Sequence, residues 1–250
     1  MSLLDKSPGV SDDRKGIFPT THWSDVLRAG QTTAAEAAPA LERLCRTYWY
    51  PLYAFVRRRG HAPHDAEDLT QGFFAHLFEQ DALKGVAEAR TKFRSFLLAA
   101  LTNFLNNDWH KQHALKRGGQ RQIVSWDELA AEGLYSQEPV DEVTPEKLFE
   151  RRWAFALVEG VLGRLRHEYE AIGKQALFAK LEPSLTTEPE PGFYSETAVE
   201  LGTSTGALKV ALHRLRRRFG ELLRSEIAYT VAGPDAVEEE LRSLFAAIAG

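Results

Sequence analysis

The 250-residue chain is poor in the residues from which many kinds of chemistry are built. It has one cysteine, Cys45, and a single methionine. One cysteine excludes a disulfide scaffold and every multi-cysteine zinc module, and points to a reducing compartment. Long apolar runs are missing: Phe96–Leu101 is six residues, against the roughly 18 of a membrane span. The opening stretch Met1–Pro8 lacks a basic head followed by an apolar core, so no signal peptide is expected. A cytoplasmic protein without membrane contact is the expectation. The catalytic patterns are absent as well. There is no Gly-x-Ser-x-Gly elbow and no His-Glu-x-x-His. The pairs His61/His64 and His110/His113 lack a nearby Cys or a third His, so no metal is expected. Gly173-Lys174 is followed by Gln175, and position 168 is Glu, so a phosphate-binding loop fails twice. Neither a cofactor nor an enzymatic activity is expected. Finally, positive charge is not in excess. The 31 Lys+Arg face 35 Asp+Glu, a net charge of −4, which taken whole argues against nucleic acid.

Taken by segment, the charge says something else. Lys84–Arg121 holds eight basic residues against two acids, a surplus of six. Thr205–Phe219 holds five basic residues and no acid. Between them, Trp126–Glu150 carries eight acids and one Lys. Two basic islands joined by an acidic tether is a segregation that solvated helix faces alone do not require.

The hydrophobic spacing is helical throughout. Stripes at three and four residues run through Leu41, Leu44, Cys45 and Tyr48, through Leu69, Phe73, Phe74, Leu77 and Phe78, and through Phe93, Phe96, Leu97, Ala100, Leu101, Phe104 and Leu105. Thr144-Pro145 reads as a helix start, with Thr as cap and Pro where its missing N–H is harmless. A helical pattern follows over 148–181 with a break near Gly173, then a Pro/Glu loop over 182–192, a helical block over 194–227 and a terminal helix over 237–248. The expected architecture is all-α. A flexible arm (1–22) precedes a first helical lobe (23–117), an acidic linker (118–143), a second lobe (144–228) and a C-terminal extension (229–250).

Tyr194–Arg218 has the spacing of a helix-turn-helix. Ala198 is small enough for two helices to cross closely. Gly202, four residues on, suits a turn with positive φ, and Thr203 or Ser204 can cap the next helix. Leu208, Ala211, Leu212 and Leu215 point back to the first helix. The other face carries Thr205, Lys209, His213, Arg214, Arg216 and Arg217, a polar and basic surface of the kind that enters a major groove. In the first lobe, Asp65, Glu67 and Asp68 open a helix, favourable at its positive dipole end. Further on, Asn103, Asn106, Asn107, Trp109 and His110 are interleaved with Arg94, Lys111, Lys116 and Arg117. Amides, aromatics and cations in this mixture suit single-stranded nucleic acid, whose bases stack and whose phosphates need charge.

These segments, in this order, resemble bacterial RNA polymerase sigma factors of the extracytoplasmic-function type, in an extended variant. The resemblance covers roughly 40–117 (the family's region two) and 150–228 (its region four). It implies that Asp65, Glu67, Asp68, Leu69, Gln71 and Phe73 bind core RNA polymerase at its beta-prime clamp. It further implies that Arg94, Asn103, Asn107, Trp109, His110, Lys111, Lys116 and Arg117 open and read the minus-ten element of promoter DNA. Ser204, Thr205, Lys209, His213, Arg214, Arg216 and Arg217 would read the minus-thirty-five element, with the beta flap as a second polymerase contact and an anti-sigma factor as a further partner. The acidic tether would thread through the polymerase as an RNA-like strand. The chain departs from the pattern at Gly72, where the family usually has Glu, and at Ala211, where many members have Arg. From the residues alone, a helix-turn-helix regulator acting without polymerase, or a helical protein–protein adaptor, remain open.

Overall fold

From Tyr48 to Val56 every residue of the first long helix, α1 (Ala34–Arg58), is buried. A helix covered on all sides belongs at the centre of a fold, and the others are arranged around it. The computed structural model describes residues 34–79, 92–106, 128–138, 143–228, 230–231 and 233–249. The described residues are all-α, with no strand among them. After α1 come α2 (Pro63–Glu79), α3 (Phe93–Asn106), α4 (Glu128–Tyr135), α5 (Pro145–Ala171) and α6 (Gln175–Leu181). A 3-10 turn (Glu182–Ser184), α7 (Phe193–Glu200), α8 (Thr205–Ala228), a second 3-10 turn (Pro234–Ala236) and α9 (Val237–Ala249) complete the order. The expected arm over 1–22 lies outside the described residues, as do the side chains of Leu41, Leu44 and Phe78.

The first lobe is built from aromatic contacts. Trp49 and Tyr53 stack at 5.2 Å within α1, Tyr48 meets Phe93 of α3 edge-on at 5.2 Å, and Phe73 of α2 meets Phe104 of α3 at 5.7 Å. Cys45 is fully buried in this cluster.

Among the described residues the two expected lobes share one core. One hydrophobic cluster runs from Cys45 to Leu244. The reason is α5. Its N-cap is Thr144, whose hydroxyl accepts from the Lys147 amide at 3.3 Å, with Pro145 at the first helical position. Its buried residues Leu148, Phe149, Trp153, Ala154, Leu157, Val161 and Leu165 form one long stripe. α5 packs against α1, and also against α8 and α9. Each large side chain buried this way stabilises by about 1.5–3 kcal/mol, far more than any exposed ion pair. The helix that opens the second expected lobe is therefore a spine for both. α5 then ends at Gly173, φ +68°, where the amides of Gly173 and Lys174 close on the carbonyls of Glu170 and Tyr169 at 3.0 and 2.8 Å.

The acidic linker is also docked where it is described. α4 lies over α1, with Glu132 receiving Arg57 Nε at 2.9 Å, Arg57 Nη2 at 2.7 Å and the Tyr53 hydroxyl at 2.7 Å. Glu138 is buried and takes the Tyr50 hydroxyl at 3.1 Å, with Arg152 of α5 as its salt-bridge partner. Two of the acids expected on an extended RNA-like strand are thus internal counter-ions, because α1 and α5 present Arg57 and Arg152 to them.

Candidate nucleic-acid interface

The helix-turn-helix forms as the local sequence dictates. α7 is closed by a Schellman arrangement: Thr203 N donates to Ala198 O at 2.9 Å and Gly202 N to Val199 O at 3.3 Å, with Gly202 at φ +61°. Of the two candidate caps, Ser204 is the one used; its Oγ accepts from Ala207 N at 3.2 Å. Ala198 is buried at the crossing, and Leu208, Leu212 and Leu215 of α8 seal it from the other side. Ala211 is half-buried.

The outer face of α8 keeps Ser204, Thr205, Lys209, His213, Arg214 and Arg217 exposed. Lys209 Nζ stands 5.4 Å from the Tyr194 ring centre, a cation–π contact that holds the amine over α7 without neutralising it. Arg214 has no ion pair among the described residues. Arg217 has one weak helical partner, Glu221, at 3.5 Å. Beside this face, a groove of about 560 Å³ is bounded by Thr203, Gly206, Val210 and Arg214 on one side and by Gly173 and Lys174 on the other. The positive dipole end of α8 and these cations together favour an anion such as a phosphate.

Arg216 has a different role from the one expected. Its guanidinium reaches the Ser184 carbonyl at 2.9 and 3.1 Å and the Thr187 carbonyl at 2.7 Å, with Glu188 at 3.2 Å. It braces the turn after α6. Arg218 is likewise bound, to Glu168 of α5 at 2.7 and 3.0 Å, and that hydrogen-bonded carboxylate holds its guanidinium above the ordinary value.

The set expected to bind polymerase is divided by α2. Asp65 and Asp68 are exposed; Glu67 and Gln71 are half-buried and joined at 2.9 Å. Leu69 and Phe73 are internal, each about 1% exposed, because the apolar stripe of α2 faces α1 and α3. They cannot form the docking surface and are core residues. Gly72, the position where the resemblance expects Glu, is buried as well.

Of the minus-ten set, Asn103 is exposed on α3, in line with Ser95, Ala99 and Asn106. That face is uncharged and amide-bearing. Arg94 is the correction. It is 6% exposed, bound by Glu240 of α9 and Glu150 of α5, and lies over the Trp153 ring at 4.7 Å. Burial works against its charge, but the two carboxylates hold the guanidinium above its ordinary value. Asn107, Trp109, His110, Lys111, Lys116 and Arg117 lie outside the described residues.

The sequence reading missed Glu239 and Glu240, the partners of Lys92 and Arg94. The signal was there: Glu238-Glu239-Glu240 is the one run of three acids in a chain with a basic island elsewhere. Among the described residues no three His, Cys, Asp or Glu side chains form a metal cluster, and no helix is long and apolar enough to cross a membrane. Comparison with protein-family models, curated proteins and solved structures finds no match to this chain.

Proposed function

We propose that the chain is a promoter-specificity subunit of bacterial RNA polymerase, a sigma factor of the extracytoplasmic-function type. The observation that carries this reading is the helix-turn-helix of α7 and α8, whose close crossing, capped turn and exposed Lys209, His213 and Arg214 fit a helix laid in a major groove. The first turn of α8 would meet phosphate through its amides, Lys209 and Arg214 would hold the backbone, and His213 and Thr205 would face base edges. In the other half, the exposed acids Asp65 and Asp68 suit a basic polymerase surface at the clamp. The amide face of α3 around Asn103 suits unpaired bases of the minus-ten element. Catalysis would belong to the polymerase, and the working place would be the cytoplasm. A net charge of −4 fits a protein that meets DNA mainly in complex, where the larger partner supplies much of the phosphate contact.

The test is transcription in vitro with core polymerase on a library of genomic fragments. Promoter-dependent transcripts that start at a few defined sites are expected; none at any salt would end the reading. A second reading, a helix-turn-helix regulator that needs no polymerase, is favoured by the burial of Leu69, Phe73 and Arg94. Co-purification with core polymerase separates the two.

A further inference from the structure

The helix expected to open DNA starts on two cations, and the C-terminal helix holds both. Arg94 places Nε 2.5 Å from Glu240 Oε1 and Nη2 3.1 Å from Glu240 Oε2. Its Nη1 meets Glu150 at 2.6 Å. Lys92 Nζ meets Glu239 at 2.8 Å and Glu240 at 3.1 Å. Between them, the Phe93 amide donates to the Thr230 carbonyl at 3.1 Å. Apart from Glu150, every one of these acceptors comes from the C-terminal extension. Glu239 and Glu240 also stand in the first turn of α9, where the helix dipole favours negative charge.

Two adjacent anions set against a Lys–Arg pair is what a stretch of phosphate backbone would offer the same residues. We propose that α9 is an intramolecular competitor of nucleic acid: in the free chain Glu239 and Glu240 occupy Lys92 and Arg94, and displacement of α9 hands both cations to phosphates. The inference rests on the reading of the 92–117 region as one that meets DNA. The contact is suited to exchange. The attraction within a buried ion pair is largely offset by the desolvation of both charges, so such pairs add little net hold while fixing which partner is accepted. The apolar anchorage of α9 centres on Leu241 and Leu244, with Val237, Ala247 and Ile248 partly buried beside them and Phe245 half-exposed. A polyanion that supplies equivalent oxygens replaces the ion pairs, and release is opposed by the packing of Leu241 and Leu244, with Val237, Ala247 and Ile248 beside them, on α5 and α8.

The experiment measures binding of the full chain to a fluorescently labelled 20-nucleotide single strand across a salt series. Wild type is compared with Glu239→Gln and with Glu239→Gln/Glu240→Gln, each checked for folding by thermal melting. The double variant is expected to bind about tenfold more tightly at low salt. The slope of log affinity against log salt should steepen by about 1.4, the value for two added phosphate contacts on a single strand. Glu239 is largely exposed, so Glu239→Gln keeps the fold; it removes one of the two acids on Lys92 and should steepen the slope in the same direction by less than the double variant does. Unchanged affinity and slope in a folded variant would overturn the proposal. Transcription with core polymerase is run alongside. Active transcription with unchanged single-strand binding removes the competitor and leaves the sigma reading. Tightened binding with no promoter-dependent transcript supports the competitor and removes the sigma reading.

Discussion

Gly202 and Ser204 carry the turn by different means, and substitution separates them. Gly202 sits at φ +61° with no atom within 4 Å of where a Cβ would stand. Alanine there meets no clash, only the left-handed backbone penalty of about 1–2 kcal/mol, and asparagine should recover part of it. Ser204→Ala removes the acceptor of the Ala207 amide and should cost about 1 kcal/mol. Chemical denaturation of the three variants checks both; equal stability of Gly202→Ala and wild type would mean the turn relaxes. These residues were legible in the sequence because their partners are three to five positions away. Arg216 was not. Its carbonyl partner Ser184 is 32 positions distant, across a loop, and nothing local distinguishes it from Arg217 beside it. The functional and structural arginines should therefore part in assay. Lys209→Ala with Arg214→Ala should keep the melting temperature and flatten the salt dependence of duplex binding by up to about two phosphate contacts. Arg216→Ala should lower the melting temperature, and preserved stability there would contradict the bracing role.

At the scale of elements, periodicity made the helices visible and left their neighbours hidden. The start of α5 at Pro145, the break at Gly173 and a terminal helix from Val237 follow from local caps and stripes, while α2 begins at Pro63, two residues before the acids expected to open it. The docking of α4 does not, because acids beside Pro139 read as solvated linker until Arg57 is found opposite. That docking has a pH signature. Hydrogen bonds from Arg57 and, secondly, Tyr53 hold the Glu132 carboxyl below the usual carboxylate range. A carboxyl with a depressed folded-state value stabilises the fold above its unfolded value, and the contribution fades as pH falls through the folded one. Glu132→Gln should thus be less stable than wild type at neutral pH, and the gap should close in acid below the ordinary carboxylate range. Urea titrations of both chains from neutral to acid pH measure it, and a gap that persists in acid would assign the loss to packing of α4 instead of charge.

For the whole molecule, segregated charge does not show which parts of the chain share a core. Basic islands and an acidic tether suggest two lobes, but charge patterning reports on faces and not on which apolar stripes meet. The meeting is made by α5, whose stripe is as apolar at Leu148–Trp153, against α1, as at Val161–Leu165 further along. Trp153 is the informative position: it is fully buried and its ring carries Arg94 of the first half, which in turn is tied to α9 of the second. A core continuous through both halves should unfold as one unit, so loss of helix by circular dichroism and loss of buried tryptophan fluorescence should coincide in denaturant. Trp153→Phe should shift both curves together to lower denaturant. Trp153→Ala, with the cavity it leaves, should cost about 3–5 kcal/mol, a large share of the 5–15 kcal/mol that holds a typical domain. If the halves were joined only by a tether, the two probes would separate, and the substitution would move only one of them. Coincident curves in wild type and variant would mean that the exposed faces of α3 and α8 are held on one frame.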